Sequence, residues 1–359
     1  MKGREIGREA VRDILSGTAK ATLLTCIFLA LVGGLAIADA RVLVNTMDDA
    51  ARWRAGGGAI VIMNAPGRID GAACAALRDT AGIRASGAIR PSPTSLSTPA
   101  MPSTAVTTWE VTPGFPAVVT TAPATPGETG LWLSEALAQD LNRYHGATLA
   151  TTHGPAPVAG TFPMPEEDGR LPTLAYAILA PVPATGRFDA CWAEVWPPDP
   201  IRRDLMRTTA HGADADASDG GLARLNPSLA ADYDTGHAIR NRITRISPAL
   251  ALLLAWILGL LASRIRRLEM ASSLHAGMTP RALLGVHCLQ VTLWLTPAIL
   301  IALPVTIWAA TAGNPSPPGT VLTREWTILA AGAVGLLLGT LAAVATTKEA
   351  HLFRYYKTR

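Results

Sequence analysis

The sequence is short of charge. Asp, Glu, Lys and Arg supply only 16% of its 359 residues, against about 25% in an ordinary soluble domain. Aromatic residues are also scarce, at 5%, so the 49% that is hydrophobic rests chiefly on Ala, Leu, Val and Ile. Lysine is nearly missing, with 4 Lys to 27 Arg, the kind of bias a GC-rich bacterial genome imposes. The four cysteines are too few for a disulfide scaffold. Low charge together with 27 Pro and 32 Gly excludes a coiled coil and argues against one soluble globule. A mean hydropathy of +0.27 fits a multi-pass membrane protein that carries a sizeable polar domain.

Catalytic signatures are missing too. There is no G-x-x-x-x-G-K-[ST] loop to cradle nucleotide phosphates, no H-E-x-x-H zinc helix and no G-x-S-x-G nucleophile elbow. His145 and His153 stand eight apart in a region of mixed elements, which is poor spacing for a metal pair. Asp214, Asp216 and Asp219 resemble a calcium loop, but position twelve is Leu225 instead of Glu. Glu166, Glu167 and Asp168 read as a charged turn. The chain is therefore expected not to be an enzyme, to hold no metal and to carry no cofactor of its own.

Four long apolar runs are present. They place spans at 21–41, 246–263, 282–311 and 326–347. The first run, Ala21–Ala38, reads as an anchor and not a cleaved leader: a 20-residue flank with Glu5, Glu9 and Asp13 precedes it, and its apolar core exceeds the usual 7–15. Charge sorts the sides. Residues 42–245 hold 16 Arg and no Lys against 20 Asp and Glu, a net of −4 inside a chain of +4. The basic residues outside that stretch cluster in 1–20, in the loop after the second span and in the tail 348–359. Lys and Arg in short flanks mark the cytoplasmic side. Both termini are thus expected in the cytoplasm of a bacterial cell, with 42–245 and the short loop 312–325 outside. An acidic folded domain gives no purchase on nucleic acid; the expected surroundings are membrane lipids.

Residues 42–245 read as a mixed α/β domain of two subdomains. Ala59–Met63 is a buried-type strand, Asn64–Gly67 a turn, and Asp70 opens a helix. The Pro/Thr-rich stretch 90–127 is expected to be flexible, with strands around Trp109–Val111 and Val118–Val119. Ser134 is placed to cap a helix that Gly146 ends, and strands are expected at Ala147–Thr152, Val158–Phe162 and Leu174–Leu179. Leu205–Arg207 and Leu229–Ile246 look helical. Cys26 and Cys288 lie in spans. Cys74 and Cys191 are the two outside, where an oxidising compartment permits a disulfide. Within the third span His287 is an ionisable residue at membrane depth, and Pro297 and Pro304 interrupt the run.

The loop 264–281 reads as a short helix on the cytoplasmic face. Arg266 and Arg267 open it, Glu269 lies near its start, Gly277 suits a C-terminal cap and Pro280 separates it from the next span. Here the chain resembles the FtsX/MacB-type permeases of ABC transporters, the mechanotransmission group. The shared order of parts is an N-terminal cytoplasmic helix (1–20), one span, a large external domain and three further spans. The loop pattern R-R-x-E-I-x-x-L-R-A-L-G-A-x-x-R is matched here by Arg266, Arg267, Glu269, Met270 in place of Ile, Gly277 and Arg281. Ser273, His275 and Pro280 depart from it. The segments Leu131–Leu141, Gly146–Leu149 and Val158–Gly160 are similar to the second external subdomain of the MacB type. The resemblance implies a permease subunit that binds a separate ATPase through 264–281. ATP and Mg would sit on that partner, and this chain would pair as a homodimer or with a related permease. It further implies that ATP hydrolysis drives export or mechanical signalling through the external domain. Glu269 would meet a basic residue of the ATPase, and Gly277 would allow close approach. Two alternatives are a membrane-anchored external binding or adhesion domain and an FtsX-like regulator of a cell-wall hydrolase.

Overall fold

A computed structural model describes residues 20–348 apart from 95, 99–100, 121–129, 152–153, 166, 212–220 and 231. The N-terminal helix expected before residue 20, most of the tail, His153 and the acidic loop at 214–219 lie outside the described residues. The chain divides into two compact units, Met1–Asp49 with Gly236–Arg359, and Ala50–Thr235.

Among the described residues, four helices are long and apolar enough to cross a membrane: Ala21–Ala55, Ile243–Ile265, Pro280–Thr311 and Gly319–Thr346. The chain is a four-span membrane protein with its large α/β unit between the first and second spans. Two boundaries differ from the sequence reading. The first helix continues past residue 41 to Ala55, because Arg41–Ala55 contains no Gly or Pro to stop it. The fourth begins at Gly319 and not at 326, with Pro318 as its N-cap residue, so much of the expected loop 312–325 is helical. One core joins all four helices, with Phe28, Val32 and Ala36 of the first, Ala251 and Ala255 of the second, Trp294 and Ala298 of the third, and Ile328 and Leu336 of the fourth. Phe28 meets Trp294 edge-on at 6.5 Å between centroids.

The second and fourth spans touch along glycine. A Cβ on Gly335 would stand 2.2 Å from the Leu252 carbonyl oxygen, one on Gly339 2.0 Å from that of Trp256, and one on Gly259 2.3 Å from that of Leu336. Lipid tails are as apolar as leucine, so helices in a bilayer associate through close van der Waals contact, which small residues permit.

The second unit is built on a ten-stranded sheet with the order β10-β1-β9-β2-β4-β8-β5-β7-β6, and β3 beside β4. The strands are β1 (Ile60–Asp70), β2 (Ile83–Pro91), β3 (Leu96–Thr98), β4 (Met101–Val111), β5 (Leu131–Ser134), β6 (Thr148–Thr151), β7 (Gly154–Phe162), β8 (Ala177–Pro181), β9 (Arg187–Val195) and β10 (Leu222–Arg224). Pairing is antiparallel except for β4 with β8 and β5 with β7. The two expected subdomains therefore share one sheet, joined where β4 pairs with β8 and β8 with β5.

Period-two alternation explains the apolar runs. Ile60 and Ile62 of β1, with Ala190 and Trp192 of β9, enter a core that holds Phe115, Val118 and Phe162. Val61 and Met63, with Cys191, Ala193 and Val195, enter a second core on the opposite face with Cys74, Phe188 and Met206. A strand covered on both faces needs no polar alternation, which is why residues 59–63 are uniformly apolar. Each fully buried Val, Ile or Phe contributes about 1.5–3 kcal/mol.

Local chemistry corrects several expectations. Asn64–Gly67 is an irregularity inside β1 where the register with β9 shifts, not a turn ending the strand. Pro116–Val119 forms a short helix, not a strand. Ser134 precedes the helix Glu135–Leu141 without capping it, and its Oγ accepts instead from the Ala177 amide at 3.2 Å. That helix ends at Asn142, at φ 49 in the left-handed region, four residues before Gly146. Among the described residues between Leu229 and Ile246 the α-helical part is Thr235–Arg240, with a 3-10 turn at Ile243–Ile246.

Candidate functional site

The loop after the second span begins with Arg266. It forms a helix, Arg267–His275, which is closed by a turn before the third span. The end of that helix explains its glycine. The Gly277 amide donates to the Leu274 carbonyl and the Met278 amide to that of Ser273, both at 3.0 Å, with Gly277 at φ +89. This is the Schellman arrangement, which places a left-handed residue just beyond the helix. Among the described residues, its chain neighbours apart, nothing lies within 4 Å of where a Gly277 Cβ would be, so it is the left-handed conformation that requires glycine. Pro280 opens the third span helix, whose N-cap Thr279 accepts from the Ala282 amide at 3.3 Å. Proline is suited to that first turn, where its missing N–H leaves no bond unmade.

Apolar and polar contacts fasten the short helix to the spans. Met270, 1% exposed, packs with Leu283 of the third span and Val344 of the fourth. Arg266 donates through Nε to Glu269 Oε2 and through Nη1 to Gln290 Oε1 of the third span, each at 2.8 Å. Gln290 Oε1 lies 3.2 Å from His287 Nδ1, so the intramembrane histidine belongs to this polar cluster. Glu269 already has an ion-pair partner in its own chain, yet its side chain is 60% exposed. Ser272, His275 and Arg281 are also exposed, and Arg267 is half-buried. Of the residues singled out from the sequence, Arg266 and Met270 thus face inward, Gly277 shapes the turn, and Glu269 and Arg281 lie at the surface. Gln290 was missed, because a lone polar residue in an apolar run gives no sign of its partner.

In the α/β unit, Cys74 and Cys191 form a disulfide across 5.8 Å between Cα atoms. It ties the helix Gly71–Ala76 to β9. A cavity of about 490 Å³ beside β10 is lined by residues including Val61, Leu171, Arg203, Leu222 and Arg224. Arg203 there pairs with Asp232 at 3.2 Å, and Arg224 donates to the Leu229 carbonyl at 3.1 Å. His145 Nδ1 lies 2.7 Å from the Ala159 carbonyl oxygen, and Asp168 pairs with Arg170 at 2.7 Å. Among the described residues no three His, Cys, Asp or Glu side chains are grouped to hold a metal.

No family model matches the chain, and no curated protein does. Among solved structures a match is the periplasmic region of MacB from Actinobacillus actinomycetemcomitans, with 12% identity and a TM-score of 0.32. It covers 44% of this chain and 85% of that one. An overlap this slight carries no argument about what this chain does.

Proposed function

We propose that the chain is the membrane-spanning permease subunit of an ABC transporter of the FtsX/MacB type, working with a separate ATPase. The observation that carries this reading is the helix Arg267–His275. It is anchored to the third and fourth spans through Met270 and to the third through Arg266, while Glu269, Ser272 and His275 remain exposed. A short charged helix fixed to a bundle on one side and open on the other can pass a push from a soluble partner into the spans. In this reading 264–281 is cytoplasmic, the α/β unit is external, and the chain works as a dimer. The Cys74–Cys191 bond supports an external α/β unit, since structural disulfides persist in oxidising compartments. The cargo is a matter of the external unit, and motion could equally serve export or mechanical signalling.

The test is purification of the tagged chain in mild detergent from its own cell, with mass spectrometry of its companions. A stoichiometric ATPase with a Walker A loop is expected, lost on Ser272→Arg. That substitution changes the exposed face and spares Arg266 and Met270. Recovery of the chain without an ATPase, under conditions that hold a known complex of this kind together, sinks the proposal. One observation favours a second reading, a membrane-anchored external binding domain: the cavity beside β10 falls within the 300–1,000 Å³ range of ligand pockets.

A further inference from the structure

Three ionisable side chains, far apart in the sequence, are buried inside the first unit. Asp39 of the first span helix is 1% exposed and Glu325 of the fourth is fully buried. Arg242, just before the second span, has its side chain 5% exposed. Arg242 donates through Nε and Nη2 to the two carboxylate oxygens of Asp39, at 2.8 and 3.1 Å, and through Nη1 to the Ile239 carbonyl at 2.7 Å. Glu325 is different. Neither of its oxygens has a hydrogen-bond partner among the described residues, and the charges acting on it are Asp39 and Arg242. Residues near them in sequence belong to an apolar cluster, in which Ala40, Leu43, Ala309, Ala310 and Val321 pack together with Ile239 and Leu322 against them. Nearby charges point elsewhere: Arg41 donates to the Ala312 carbonyl at 2.8 Å, and Arg324 is exposed.

A buried carboxyl group without a hydrogen bond is costly and is kept only where something in the protein uses it. The Arg242 guanidinium has five N–H donors in a planar fork, of which three are engaged in the bonds above. One cation with donors to spare therefore acts on two buried carboxyl groups and is paired with one. We propose that Asp39, Arg242 and Glu325 form a two-position latch, in which Arg242 exchanges between Asp39 of the first span and Glu325 of the fourth. The structure shows the Asp39 position. Exchange moves the attachment of the segment leading into the second span from the first helix to the fourth. It thereby gives the bundle two discrete arrangements with the same number of paired charges. The latch rests on the spans alone and holds whether or not the partner is an ATPase.

The experiment is a double-mutant cycle on the full chain purified in detergent, reading the midpoint of thermal unfolding for Asp39→Asn, Glu325→Gln, the double variant and Arg242→Gln. If Arg242 can move, Glu325 takes over when Asp39 is neutralised. Each single carboxylate variant then shifts the midpoint little. The double variant falls by more than the sum of the two and matches Arg242→Gln. If Arg242 serves Asp39 alone, Asp39→Asn falls as far as Arg242→Gln and adding Glu325→Gln causes no further loss; that result overturns the latch. Failure of Asp39→Asn to accumulate in the membrane while Glu325→Gln accumulates normally overturns it as well. So does an equal loss of both single variants, since each carboxylate would then be needed at once.

Discussion

At the scale of single residues, Asp70 shows how one carboxylate is tied into the fold. Its Oδ1 accepts from the Ala72 and Ala73 amides at 2.8 and 3.1 Å, and Oδ2 lies 3.3 Å from His211 Nε2. The bond from Ala73 is the largest influence and, with those from Ala72 and His211, holds the carboxyl below its ordinary value against the opposing effect of burial. A depressed folded value means that the carboxylate stabilises the native state above the unfolded value near 3.8 and that this help is lost as pH falls through the lowered value. Asp70→Ala is expected to cost about 1 kcal/mol at neutral pH and to make acid unfolding less steep below pH 4. Equilibrium unfolding of the α/β unit within the full chain, followed across pH, checks both. The disulfide is a larger contribution. Cys74 and Cys191 are separated by 117 positions, and closing a loop of that length removes about 4–5 kcal/mol of unfolded-state entropy. Replacing both by alanine should lower stability by that order in chemical denaturation, and reducing agent should do the same to the unaltered chain.

Among elements, glycine decides how helices pack and how they end. Gly335 and Gly339 bring the fourth span against the backbone of the second. Leucine at either position is therefore expected to separate the two helices and to reduce folded protein sharply, as seen by monodisperse recovery in detergent. Gly277 acts through conformation alone. Gly277→Ala should cost about 1 kcal/mol for its left-handed φ and loosen the end of the helix Arg267–His275, which hydrogen exchange of the Gly277 and Met278 amides would report. Sequence patterns made the helix and its C-terminal glycine legible, because a cap is a local event. They misread Ser134, whose hydroxyl is taken by the amide of Ala177 on a strand 43 positions away. They also stopped the first span helix too early. Asp39 and Arg41 signal a membrane boundary, but a charge does not end a helix.

For the molecule as a whole, the side on which each segment lies is the most direct prediction. In a variant without Cys26 and Cys288, a cysteine at Ser316 should react with a membrane-impermeant maleimide in intact cells. One at Ser272 should react only after lysis. Both serines are exposed, so the pattern of labelling reads topology and not burial. The reverse pattern would put the α/β unit in the cytoplasm and remove the basis for docking an ATPase on Arg267–His275.

The sequence by itself determined that the chain crosses a membrane four times and carries an α/β unit after the first span. Both follow from local quantities: run length, charge and the alternation of side chains along a strand. The Cys74–Cys191 pair was legible for the same reason, as only two cysteines stand outside the spans. What the tertiary structure decided depends on residues far apart in the chain. It joined two expected subdomains into one sheet through β4 and β8. It fastened Arg266 to Gln290 across a helix turn and a loop, and it buried Asp39, Arg242 and Glu325 within the first unit. No periodicity records such meetings, because a pair of buried charges is set by which helices come together, and that is settled only when the whole bundle packs.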